Sequence, residues 1–183
     1  MSKNLNARRL NMPAFAQAGA PLVELTPLQN MERLAQEVHG LEPDSAVNWR
    51  ATAELRSRTG AEDDVWLHLE AKTSLSLTCQ RCMGAVSTPL EVDQWYRFVA
   101  SEDIAMAEDD ASEEDLLVME PQFDVLAVVE DELLMALPLV PMHETCPVSP
   151  VFSAGEADMA PGDGEGEAKP NPFAALAQLK KPK

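Results

Sequence analysis

The chain has 183 residues, 45% of them hydrophobic and 5% aromatic, with a formal net charge of −17. That length suits one domain with tails, and no apolar run is long enough to span a bilayer. Residues 1–97 carry 10 Lys+Arg against 12 Asp+Glu, whereas residues 98–183 carry 4 against 19, with no Lys or Arg from Phe98 through Ala168; the second half is thereby excluded as a phosphate-binding surface.

The N-terminal stretch "MSKNLNARRLNMPAFAQAGAPL" has early positive charge but no continuous apolar segment. No signal peptide is expected, and the localisation reads as cytoplasmic. Residues 1–22 read as an N-terminal extension and residues 23–150 as a single α+β domain. "LTPLQNMERLAQEVHGLEP" reads as a helix, with Thr26 as N-cap, Pro27 at the first helical position, Gln29 completing a capping box and Gly40 as the stop. Leu28, Met31, Leu34, Ala35 and Val38 then share its buried face.

The period next changes to two. Val47, Trp49, Ala51, Ala53 and Leu55 alternate with polar residues, giving a strand over Val47–Leu55. After the turn "RSRTGAEDD", the residues Val65, Leu67, Leu69, Ala71, Thr73, Leu75, Leu77 and Cys79 fall on one face of a long strand. Leu90, Val92, Tyr96 and Phe98 alternate in a third, so "LTCQRCMGAV" sits at a hairpin tip. "ASEDIAMAEDDASEEDLL" reads as an acidic loop, with a short strand at "LLVM". Asp124 can cap a helix over Asp124–Leu137, with a stripe of Leu126, Val129, Leu133 and Leu137 and a stop at Pro138. Residues 151–183 read as a flexible acidic linker ending in a docking peptide, in which Phe173, Leu176 and Leu179 recur at helical spacing. The expected fold class is α+β: an antiparallel β-meander sheet packed by one or two helices, with a disordered acidic linker and a C-terminal tail.

Two of the three cysteines, Cys79 and Cys82, stand in Cys-x-x-Cys spacing, and Cys146 follows His143 by three residues. Cys79, Cys82, His143 and Cys146 can supply a closed tetrahedral zinc set, a structural zinc being the one cofactor the sequence suggests. Free cysteines in a tight turn are the preferred expectation. A redox pair is disfavoured, because a strand follows the motif where thioredoxin-like activation needs a helix N-terminus. Catalytic constellations are absent: there is no Gly-rich phosphate loop, nucleophile elbow or metal-protease pair, so no enzyme is expected. Arg50, Arg56, Arg58, Lys72, Arg81 and Arg97, with Trp66 and Trp95, can form a basic–aromatic surface for RNA, although an ordinary sheet exterior is preferred. The acidic half suits a basic protein partner or is simply solvated. The interaction candidates are Arg81, Glu130, Asp131, Phe173, Leu176 and Leu179.

Three blocks, "LTCQRCMGAV", "DVLAVVEDELLMALPLVPMHETC" and "KPNPFAALAQLKK", resemble in order and spacing the bacterial YceD family, the large ribosomal RNA subunit accumulation proteins. The likeness runs from about Val65 to the C-terminus. It implies a role in the synthesis, processing or stability of large-subunit ribosomal RNA, hence in ribosome biogenesis, with no established catalytic residue. The partners it implies are ribosomal RNA or large-subunit ribosomal proteins and precursors, without a membrane or a small-molecule substrate. A non-catalytic adaptor is the expected mode of action. The alternative is an RNA-processing enzyme, a nuclease or modifying enzyme, with an unrecognised site.

Overall fold

Five strands form one sheet in the computed structural model, which describes residues 6–58, 60 and 62–148. They are β1 (Leu22–Pro27), β2 (Ala46–Arg56), β3 (Asp64–Thr78), β4 (Ala85–Val99) and β5 (Asp115–Val118), in the spatial order β1-β2-β3-β4-β5. The strands expected over Val47–Leu55, Val65–Cys79 and Leu90–Phe98 are β2, β3 and the second half of β4. Side-chain alternation sends Val47, Trp49, Ala51, Leu67, Leu69, Ala71, Leu75, Leu77, Leu90, Val92 and Tyr96 into one buried face. Leu55, expected on that face, is half exposed at the end of β2.

Among the described residues, four α-helices accompany the sheet: α1 (Met12–Ala18), α2 (Glu32–Gln36), α3 (Glu102–Glu108) and α4 (Val125–Met135). Asp124 caps α4 as expected, its Oδ1 accepting from the N–H of Ala127 at 2.9 Å. Val125, Leu126, Val129 and Leu133 form the buried stripe of α4, which packs on β3 and β4. Phe98 and Phe123 meet edge to face with centroids 4.9 Å apart just before it. The segment expected as an extension contributes Ala7, Leu10, Met12, Phe15 and Ala16 to the core. It is held there by paired backbone bonds between Leu10 and Phe123, 2.9 Å each way.

Three expectations are corrected. The sheet is mixed: β1 to β4 run antiparallel, but β5 lies parallel to β4, with Tyr96 opposite Asp115 and Val99 opposite Val118. A parallel neighbour needs a crossover, and the stretch expected as an acidic loop supplies it as α3 followed by a 3₁₀ turn over Asp109–Ala111. Ser101 caps α3, and Glu102 and Asp103 lie at its N-terminal end, where the helix dipole favours negative charge. The helix expected from Thr26 is also displaced. Leu22–Pro27 pairs with Ala46–Ala51 as an edge strand, and a 3₁₀ turn at Leu28–Asn30 precedes the short α2. Thr26 does not cap a helix; its hydroxyl accepts from the buried Trp49 indole at 2.9 Å. The same apolar residues are nevertheless buried, with Leu28, Met31 and Leu34 almost wholly inaccessible. The linker and tail expected over 151–183 lie outside the described residues, and among the described residues no helix is long and apolar enough to cross a membrane.

The interaction candidates Glu130 and Asp131 both contact Arg33 of α2. Glu130 Oε1 accepts from the backbone N–H groups of Arg33 at 2.8 Å and Leu34 at 3.1 Å, at the start of α2. Its Oε2 accepts from the Arg33 guanidinium at 3.1 Å, and Asp131 pairs with the same guanidinium. Only Glu130 satisfies backbone donors, so the two acids differ in weight. Glu130→Ala should cost about 1–3 kcal/mol, the scale for orphaned donors, whereas Asp131→Ala, which breaks an exposed ion pair, should cost below about 1 kcal/mol. Urea denaturation of both variants measures the difference.

Candidate metal centre

The register of the central hairpin brings Leu77 opposite Val86 and Thr78 opposite Ala85, leaving the six residues Cys79–Gly84 to turn the chain. The N–H of Cys79 donates to the carbonyl of Gly84 at 2.8 Å, and the N–H of Met83 donates to the carbonyl of Cys79 at 2.9 Å. Met83 adopts φ 59°, a left-handed conformation uncommon for a residue with a Cβ, directly after the second cysteine of the motif. Cys79 continues the inward face of β3 and is fully buried; Cys82 is partly exposed.

Beyond α4 the chain passes back over this tip. The N–H of Gln80 donates to the carbonyl of Pro141 at 2.9 Å. The Arg81 guanidinium donates to the carbonyls of His143 and Glu144. His143 Nε2 lies 2.9 Å from the carbonyl of Ala85. A carbonyl only accepts, so this contact puts the imidazole proton on Nε2 and leaves the lone pair on Nδ1. That nitrogen faces Cys82 Sγ at 3.5 Å, while Cys79 Sγ and Cys146 Sγ stand 3.9 Å apart. The four donor atoms all lie within 4.8 Å of one another. All three cysteines are free thiols.

The electrostatics of the Cys79 and Cys146 sulfurs diverge. Burial pushes the Cys79 thiol up, but the backbone N–H groups of Cys82, His143 and Arg81 and the His143 side chain outweigh it and bring the pKa down to about 5. Cys146 is pushed up to about 11, first by burial and then by the neighbouring Cys82 and Cys79 sulfurs. Four such donors can hold a metal ion, and Cys146 lies with the Cys79–Cys82 pair.

Outside this cluster, the basic–aromatic sheet face is occupied by its own residues. The Arg56 guanidinium lies 3.9 Å from the Trp66 ring centroid and 4.4 Å from that of Trp95. His68 stacks on Trp95 at 4.4 Å and bonds Asp93 at 2.7 Å. Arg50 faces Glu70, Lys72 pairs with Glu91, and Arg97 is buried between Glu108 and Glu114. Arg81, expected as an interaction residue, holds the returning chain. Phe173, Leu176 and Leu179 lie outside the described residues. The carbonyl of Ala85, which orients His143, was missed from sequence because a backbone acceptor leaves no residue-type signal.

The family model described as large ribosomal RNA subunit accumulation protein YceD matches residues 67–180 of the chain. A protein of that description from Haemophilus influenzae is 35% identical over 162 residues, covering 82% of this chain and 82% of its own length. No solved structure matches.

The amide of Gln80 reports on the returning segment, because its bond to Pro141 exists only while that segment is seated. Arg81→Ala should raise hydrogen exchange at Gln80 by about 5–10-fold, as loss of about 1 kcal/mol of hydrogen bonding implies. Exchange at Leu69 in the middle of β3 should stay unchanged.

Proposed function

The chain belongs to the YceD family of large ribosomal RNA subunit accumulation proteins, and from that premise we propose that it supports the synthesis, processing or stability of large-subunit ribosomal RNA as a non-catalytic adaptor. Family membership is the observation that carries the ribosomal role. The adaptor mechanism rests on charge. Phosphate binding needs cations free to exchange counterions for the nucleic-acid backbone. Here Arg33, Arg50, Arg58, Lys72 and Arg97 all sit against carboxylates of their own chain. The aromatic faces that would stack bases already carry Arg56 and His68. By contrast, the acidic surface of α3 presents Glu102 and Asp103 to solvent. Such a surface complements basic ribosomal proteins and repels RNA.

In the surface concavity lined by Leu55, Arg58, Glu62, Asp63, Asp64, Arg97, Phe98 and Glu108, Arg58 lies 3.9 Å from Asp64 and 3.8 Å from Glu108, and Arg97 lies 2.9 Å from Glu108. These paired ions suit packing rather than proton transfer, and Glu62 and Asp63 leave the concavity net acidic. The proposal places the protein in the cytoplasm, with large-subunit ribosomal proteins or their precursor particles as partners.

Depletion of the protein in its host should lower the ratio of large- to small-subunit ribosomal RNA, measured by electrophoresis of total RNA. An unchanged ratio after full depletion, in cells without a paralogue, overturns the ribosomal role. Affinity capture with and without ribonuclease tests the mechanism. An adaptor keeps its protein partners after ribonuclease treatment, and a direct RNA binder loses them. Ribonuclease activity of the pure protein that disappears on a single substitution replaces the adaptor with an enzyme.

A further inference from the structure

We propose that Cys79, Cys82, His143 and Cys146 bind one structural Zn²⁺ ion, and that this ion is the clasp fastening the segment after α4 to the tip of the β3–β4 hairpin. The site goes beyond the ribosomal role and stands whether or not that role is correct.

Four observations converge on it. First, the four donors lie within 4.8 Å of one another, and two of their separations match a zinc tetrahedron. Zinc bonds of about 2.3 Å to sulfur and about 2.0 Å to imidazole nitrogen place neighbouring donors about 3.5–3.8 Å apart. The Cys82–His143 and Cys79–Cys146 separations are 3.5 and 3.9 Å. Second, the imidazole is already set as a ligand. Its Nε2 proton is held by the Ala85 carbonyl, the kind of outer contact that fixes a ligating histidine. Third, the turn that carries Cys79 and Cys82 is fixed by the Cys79–Gly84 and Met83–Cys79 backbone bonds, with Met83 in the left-handed region directly after the motif. Fourth, the returning segment has almost no apolar anchor. Leu139 is wholly exposed and Val140, Met142 and Val148 are at least half exposed. Leu137 packs against the core directly after α4, and Cys146 is the next residue of the segment to do so. What seats the segment is polar and converges on the cluster.

Donor chemistry selects the ion. Three thiolates with one imidazole in a closed tetrahedral arrangement match zinc rather than calcium or magnesium, which take oxygen ligands. Binding breaks the remaining S–H bonds, the protons pass to solvent, and three S–Zn bonds and one N–Zn bond form. No electron moves, so no oxidant is required. The complex of one dication and three thiolates carries a single negative charge, and the Arg81 guanidinium lies over the same turn. A disulfide between Cys79 and Cys146 is the competing outcome, and it would leave Cys82 and His143 without a shared role.

The test uses the full chain, purified reduced and without chelator, then reconstituted with zinc and freed of excess metal. Elemental analysis should give about one zinc per chain. Cys82→Ser and His143→Ala should each weaken zinc, in competition with a chromophoric chelator, by at least about tenfold, the scale on which even outer-shell changes act. Cobalt substitution of the unaltered protein should give the intense sulfur-to-metal charge-transfer band of a thiolate-rich tetrahedral site, a readout independent of how well any variant folds. Removing the metal should raise proteolytic cleavage within residues 139–148 and exchange at the Gln80 amide. Absence of zinc from reduced, reconstituted protein overturns the site, as does equal affinity in both variants. Stoichiometric zinc whose removal leaves cleavage and exchange unchanged overturns the clasp.

Discussion

The pairing of β3 with β4 is the constraint on which the rest depends. Thirteen consecutive partners, from Trp66 opposite Arg97 to Thr78 opposite Ala85, fix one register. A slip of one residue would turn Leu67, Leu69, Leu75 and Leu77 to solvent together. The same register decides that Cys79 continues the buried face and that the turn spans Cys79–Gly84. Burial of one sheet face therefore determines the geometry of the cysteine motif, although no cysteine contributes much to holding the sheet. α4 and the N-terminal segment complete the core over that face, and Glu130 carries the order of α4 across to α2.

A second organising interaction lies at the far end of β4. Arg97 is the last cation before the stretch without Lys or Arg. Its guanidinium donates to Glu114 at 2.7 Å and to Ser112 at 2.9 Å, and it pairs with Glu108 at 2.9 Å. These contacts gather the acidic crossover onto the strand it leaves, so β5 can return parallel beside β4. The Arg97 bond holds the Glu114 carboxyl below the usual carboxylate range. Because the folded pKa is lowered, the stabilisation is present at neutral pH and is lost as pH falls through the carboxylate range. The acidic crossover is thus anchored by a buried cation at its start, with the more exposed Arg58 3.8 Å from Glu108 beside it.

The elements legible in the sequence were those whose period is set by one buried face. β2, β3, β4 and α4 all follow it, and Asp124 announces its helix by a local cap. What escaped depends on distant partners. Thr26, Pro27 and Gln29 form a sound local helix start, yet pairing of Leu22–Pro27 with β2 and the need of the Trp49 indole for an acceptor outweigh it. α3 was hidden because its composition is that of a solvated loop, and its order comes from the Ser101 cap and from Arg97. At the cysteine cluster, spacing named the four residues and the hairpin tip. It did not show whether Cys146 would reach them, since that follows from backbone carbonyls of Pro141, His143 and Ala85, none of which has a signature at the level of residue type.

The returning segment is where energetics and function meet. A hydrogen bond between neutral groups contributes about 0.5–1.5 kcal/mol net, while ordering one backbone residue costs about 1–2 kcal/mol. A segment with so little apolar burial is therefore held weakly by its hydrogen bonds alone. A ligand bound only by the seated form stabilises it in proportion to the logarithm of ligand concentration over Kd, so four donors converging at its end turn a marginal contact into a firm one. That coupling makes the position of residues 139–148 depend on the hairpin tip. For an adaptor the consequence is mechanical: the sheet and residues 139–148 present one continuous surface only while the clasp is closed.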